Sequence, residues 1–242
     1  MKKQHVRGLV GVLGAVALAL ASTSVAARAD DRSVRHGNLS TPVSRAILCH
    51  PGGQGSADPM CRRAREAGIY LWQEVQPTGA TMKADPPFNI RGRYSEYRKF
   101  STGGNVCSAG NPANAGLDLL PDSGDTWPAT DLSGVHDSYT FRYDYTARHP
   151  GEYWTMDWYI TKNGWEPTDG VSWNDLDPTP FMVGHFASLD EYPTDTLPHR
   201  SGRHVIVQVW SGPGGPDRDH VEDPQFPKTG EFFTSCSDVD FG

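Results

Sequence analysis

Alternation of apolar and polar positions is clearest in residues 138–165. Tyr139, Phe141, Tyr143 and Tyr145 alternate with polar or small residues, which predicts a strand. Residues 147–151 supply a turn, Ala-Arg-His-Pro-Gly. A second strand is predicted over 153–161, with Trp154, Met156, Trp158 and Ile160 alternating. Further on, Val205, Val207 and Val209 share one face of a predicted strand over 204–210. Residues 231–241 form the last predicted strand. Near the start, a polar stretch leads into a short apolar strand over 46–48. Residues 61–67 are charged and rich in helix formers, so a short helix is expected there. Between these elements lie turn formers (50–59) and a long irregular region (76–116). Several short strands joined by long loops point to an all-β antiparallel sandwich with short helices.

Composition supports that class. The 242 residues include 26 Gly, 19 Pro, 7 Trp, 9 Tyr and 9 Phe, a supply suited to turns and aromatic strands. No repeat or low-complexity linker interrupts the chain. The formal net charge is −7. It becomes more negative once the basic first 35 residues are set aside. So acidic a chain is a poor partner for nucleic acid or an anionic membrane.

The first 29 residues have the form of a signal peptide. Lys2, Lys3 and Arg7 precede an apolar run over 8–21, too short to span a bilayer, and small residues follow up to Ala29. The expected product is secreted and soluble. Four cysteines, Cys49, Cys61, Cys107 and Cys236, permit three disulfide pairings in an exported chain. Cys49 and Cys61 enclose a short loop and are able to pair locally, which leaves Cys107 with Cys236. The latter bond would close a long loop and add about 4 kcal/mol on a chain-entropy basis. No CxxC spacing suggests zinc.

Candidate chemistry begins at His36-Gly37. A histidine at a free N-terminus offers its α-amine and a ring nitrogen, and a second histidine completes a three-nitrogen copper set. The chain carries a series of blocks in order. They are His36-Gly37; Thr41-Pro42-Val43-Ser44-Arg45; Trp127-Pro128-Ala129-Thr130; Phe141 on to Thr146-Ala147-Arg148-His149; Tyr159-Ile160-Thr161-Lys162; Ser201-Gly202-Arg203-His204-Val205; and Cys236-Ser237-Asp238-Val239-Asp240-Phe241. This ordered set resembles the bacterial lytic polysaccharide monooxygenases of auxiliary-activity family ten, the chitin-binding-protein type. It covers residues 36–242 as one domain.

The resemblance implies a fibronectin III- or immunoglobulin-like sandwich with a flat substrate face. It implies one copper ion held by His36 and His149. Phe233 is then the aromatic in the axial direction, favoured over Phe232 by its spacing to Asp238. Ala147 is the small residue at the other axial face, and Glu231 a carboxylate near the oxygen position. Tyr70 and Trp72 fall in the region that lies on polysaccharide in the family, where rings stack on sugar faces. The implied partners are insoluble chitin or cellulose and an external electron donor, and the chain is expected to be a monomer. The implied reaction is oxidative cleavage of β-1,4 linkages at C1 and/or C4 with O2 or H2O2.

Two features set this chain apart. A signal-peptidase cut after Ala27 or Ala29 leaves residues 30–35 ahead of His36, a short extension whose removal the chemistry requires. Residues 81–100, rich in basic and aromatic side chains, follow no common family pattern. If the extension is retained, the alternative is a non-catalytic chitin- or cellulose-binding protein on the same fold. The remaining histidines show no ligand spacing, and His204 is expected to be structural. No flavin, haem or nicotinamide motif is visible.

Overall fold

Strand alternation in the sequence resolves into two stacked sheets in the computed structural model. It describes residues 37–69, 105–110, 112–145, 155–185, 189–211 and 232–242. All of these belong to one compact unit, Ser33–Gly242. The strands are β1 (Gly37–Thr41), β2 (Thr130–Asp131), β3 (Tyr139–Tyr145), β4 (Thr155–Ile160), β5 (Met182–His185), β6 (Glu191–Thr194), β7 (Arg203–Ser211) and β8 (Phe232–Asp240). Two short helices, α1 (Arg45–Cys49) and α2 (Pro59–Gly68), and three 3-10 segments complete the described secondary structure.

One sheet has the order β1-β3-β6, the other β2-β8-β7-β4-β5. The long pairings are antiparallel, as expected for a sandwich. β2 departs from this by running parallel to β8, Thr130 opposite Val239. The expected all-β sandwich is therefore present, with one short parallel strand at the edge of its larger sheet.

The interior between the sheets is aromatic. Phe141 and Tyr143 of β3 meet Met156, Trp158 and Ile160 of β4, Ile206 and Trp210 of β7, and Phe233 and Val239 of β8. The opposite face of the larger sheet is also covered. Tyr159, Val205, Val207, Val209 and Cys236 pack there against Val106, Leu117, Trp165 and Trp173. That second layer of loops and helices is why all six residues of β4 are buried. Sequence alternation predicts one wet face for this strand; tertiary cover removes it.

The apolar triplet Ala46-Ile47-Leu48, expected to be a strand, is helical. Ser44 accepts a hydrogen bond from the Ile47 amide and starts α1. Arg45 in its first turn is drawn inward to Asp238. Three apolar residues in a row fit either period, and here the cap and the buried ion pair decide. The expected helix over 61–67 is present as α2. Asp58 caps it by accepting from the Met60 and Cys61 amides, and Pro59 opens it. Of the three permitted disulfide pairings, the chain forms Cys49–Cys61 and Cys107–Cys236, separated by 12 and 129 residues. The second ties β8 to the covering layer.

Among the described residues, no helix is long and apolar enough to cross a membrane.

Candidate functional site

The first described residue, Gly37, begins β1 opposite Tyr145, the last residue of β3. Gly37 follows His36 in the sequence, and Tyr145 precedes the stretch that carries Ala147 and His149. At the same end of the sandwich β7 finishes and β8 starts, with Trp210 paired to Phe233. Trp210 joins the two sheets there. Its ring centroid is 5.5 Å from Tyr145, edge-on, and 5.0 Å from Phe233, tilted by 38°. Tyr143 is edge-on to the same indole at 5.9 Å.

The aromatic floor is held by polar tips at its rim. The Tyr145 hydroxyl is 2.7 Å from that of Tyr192 on β6. Phe233 is 1% exposed and offers no donor atom. Burial holds the Tyr143 phenol well above its ordinary pKa, so it stays neutral at any working pH.

Two contacts fix β1 to this floor. Gly37 lies so tightly on β3 that a Cβ there would stand 2.3 Å from the Tyr143 Cε1 atom and 2.5 Å from the Asp144 carbonyl oxygen. On its other edge β1 has no backbone partner strand among the described residues. Ser235 of β8 takes that place. Its hydroxyl accepts from the Leu39 amide at 2.9 Å and donates to Asn38 Oδ1 at 2.9 Å. Asn38, Leu39 and Ser235 are all buried.

This setting fits a copper ion. Amine and imidazole nitrogens are suitable copper donors. Gly37, the residue after His36 in the sequence, is pressed against β3 opposite Tyr145, four residues before His149 in the sequence. Phe233 supplies an apolar wall without a competing ligand. Among the described residues themselves, no three His, Cys, Asp or Glu side chains stand close enough to share a metal ion.

Of the residues singled out from sequence, Phe233 lies within the described structure, buried against Trp210. His36, Ala147, His149, Glu231, Tyr70 and Trp72 lie outside the described residues, as does the 81–100 segment. His204 is far from this end, at the start of β7, buried and 2.8 Å through Nδ1 from the Thr161 hydroxyl. Burial lowers its pKa, in keeping with a neutral structural histidine. Sequence reasoning missed Trp210, Ser235 and Asn38. Alternation along 203–211 carried the signal for Trp210, which shares the face of Ile206 rather than that of the valines. For Ser235 and Asn38 the chain held no local signal.

The sequence matches the family described as lytic polysaccharide mono-oxygenase, cellulose-degrading, over residues 36–239. The chitin-binding protein CbpD of Pseudomonas aeruginosa is 29% identical over 219 residues, covering 85% of this chain and 47% of that protein. A lytic cellulose monooxygenase of Streptomyces ambofaciens is 31% identical over 229 residues, covering 87% of this chain and 54% of that protein. The chain thus spans about half the length of these two relatives. Among solved structures, the cellulose-active lytic polysaccharide monooxygenase CelS2 in complex with copper superposes with a TM-score of 0.60 at 26% identity, covering 86% of this chain and 99% of that one. On the match over residues 36–239, with Gly37, Tyr145 and Phe233 gathered at one end of a two-sheet sandwich, the chain belongs to the lytic polysaccharide monooxygenase family.

Proposed function

We propose that this chain is a secreted, copper-dependent monooxygenase that cleaves β-1,4-linked polysaccharide, chitin or cellulose, by oxidation at C1 and/or C4. The observation that supports the reading is the pairing of Gly37 with Tyr145 and the packing of Trp210 on both Tyr145 and Phe233 at one end of the fold; in sequence, Gly37 directly follows His36 and Tyr145 stands four residues before His149. The copper complex of CelS2, a similar fold, supports the choice of metal.

The α-amine and ring of His36 and the ring of His149 would hold one copper ion. When bound and reduced by an external donor, copper supplies activation of O2 or H2O2 for removal of hydrogen from a glycosidic carbon. The chain's own residues hold that chemistry in place. Phe233 would present a ring that cannot coordinate, and Ala147 would leave room for a co-substrate beside the metal. Glu231 would hold a proton near the oxidant. Tyr70 and Trp72 would stack on the sugar faces of the insoluble substrate. The amine binds metal only when deprotonated, and its ordinary pKa is about 7.7–8.0, so affinity falls in acid.

All of this requires His36 to be the first residue. Residues 30–35 must be removed after the leader of 1–29. The relative named as a chitin-binding protein favours a second reading, a non-catalytic binding protein that keeps the extension. Intact mass of the secreted protein separates the two. A chain starting at His36 that releases oxidised oligosaccharides from chitin or cellulose, with copper and a reductant, is expected. A chain starting at Asp30, or one that binds polysaccharide and releases nothing, would sink the enzymatic reading. Running both substrates side by side, with products identified by mass spectrometry, assigns substrate and carbon.

A further inference from the structure

We infer that Ser235 is a positioning residue for the metal centre, setting where the N-terminal donor stands relative to Phe233; this rests on the copper reading above. β1 is one strand of the smaller sheet and, among the described residues, is paired by its backbone on one side, to β3. β8 belongs to the other sheet, so no ladder ties β1 to it. The tie is made by side chains on alternate residues of β8. Phe233, Ser235 and Ser237 share one face of that strand. Ser235 binds Leu39 and Asn38, and Ser237 Oγ donates to the Pro42 carbonyl at 2.8 Å.

Ser235 occupies the decisive place in this ladder. It lies two residues from Phe233, and Asn38 lies two from residue 36. A hydroxyl is the one small group that accepts from an amide and donates to an amide oxygen at once. Each of its two bonds is at 2.9 Å, and the residue is 1% exposed. Removal of the hydroxyl strands the Leu39 amide, buried at the free edge of β1. β1 then loses its side-chain tie to β8 nearest Phe233, and the place of its first residues relative to Phe233 is less tightly set. A donor on residue 36, bonded to Gly37, would follow them, whereas Phe233 stays packed on Trp210. Ser237 makes an equally buried bond further from the start of β1, and its loss leaves the first residues tied.

The test uses the secreted protein beginning at His36, with Ser235→Ala, Ser235→Thr and Ser237→Ala variants. Copper(II) affinity is measured by calorimetry and the copper(II) environment by electron paramagnetic resonance. Ser235→Ala is expected to weaken copper by about tenfold or more, as for outer groups that orient a ligand, and to shift the spectrum. Ser235→Thr, which keeps the hydroxyl, is expected to retain the parent spectrum. Ser237→Ala is expected to lower thermal stability with the spectrum unmoved. Parent affinity and spectrum in Ser235→Ala would overturn the inference, and so would an equal shift in Ser237→Ala. If Ser235→Ala fails to fold, the Thr and Ser237 variants decide: a shifted Thr spectrum overturns it. A parent that binds no copper through nitrogen fails at an earlier point, overturning the copper reading and this inference together.

Discussion

Gly37 touches Tyr143 so closely that any side chain at 37 would collide with the tyrosine ring, at 2.3 Å from a built Cβ. The glycine after the candidate metal ligand is thus required by packing and not by backbone conformation. Gly37→Ala is expected to cost about 1–3 kcal/mol, in the range of overpacked interiors. Denaturant unfolding checks it. On a Tyr143→Ala background the cost of Gly37→Ala should shrink only in part, because the Asp144 carbonyl still stands 2.5 Å from the same Cβ.

Arg45 and Asp238 form a two-pronged ion pair, with Nε–Oδ2 at 2.6 Å and Nη2–Oδ1 at 3.0 Å. Both side chains are buried, and the guanidinium lies 4.2 Å from the Trp127 ring centre. Arg45 also donates to the Leu117 carbonyl at 2.8 Å. Lysine cannot reproduce the fork. Asp238→Asn leaves a buried cation without its counter-charge and is expected to cost about 3–5 kcal/mol. The double change Arg45→Met with Asp238→Leu should cost less than Asp238→Asn alone, since it removes both charges. Unfolding free energies of the three variants test this ordering.

Asp118 is a partly buried carboxyl whose pKa is pushed up to about 6 by desolvation, against the opposing pull of Ser108, of nearby Arg45 and of the Cys107 amide. Its Oδ1 accepts from the Cys107 and Ser108 amides and so braces the loop beside the Cys107–Cys236 disulfide. A carboxyl near 3.8 when unfolded and near 6 when folded binds more protons in the folded state between those values. Stability from this group is therefore greatest below about pH 4 and falls as pH rises through 6, by about 3 kcal/mol in all. Asp118→Asn keeps an acceptor for both amides and removes the titration. It should flatten the pH–stability curve between 4 and 6 and raise stability at pH 7, as measured by denaturant unfolding across that range.

Gln208 is fully buried in β7, and neither its amide nitrogen nor its oxygen has a hydrogen-bond partner among the described residues. It stands on the face of Ile206 and Trp210, opposite Trp158 of β4 and Ser235 of β8. Two unmet polar groups in an aromatic interior are costly. Gln208→Met keeps the length and removes both. It is expected to raise stability by about 1–2 kcal/mol, read from denaturant midpoints at unchanged slope.

The strands at 139–145, 155–160 and 203–211 were legible because their side chains alternate, and alternation is a local property. α2 was legible through Asp58, Pro59 and the charged run that follows. α1 was not. Ala46-Ile47-Leu48 carries no period of its own, and its state is set by Ser44 and by an ion pair to a residue 193 positions away. The candidate site shows the same division. His36, His149 and Phe233 stood out through family blocks, whereas Trp210 and Ser235, which fasten the described end of the site, did not.

By itself, then, the sequence determined the strand periods, the family blocks and a short list of disulfide pairings. The tertiary structure decided which strand ends meet. It seated Gly37 across from Tyr145 and turned Trp210 toward both Tyr145 and Phe233. It also covered both faces of β4 and chose Cys107–Cys236. The physical reason is range. Periodicity reports what one segment does with its own side chains, whereas Ser235 finds Asn38 across 197 positions, a relation that exists only once two sheets have stacked.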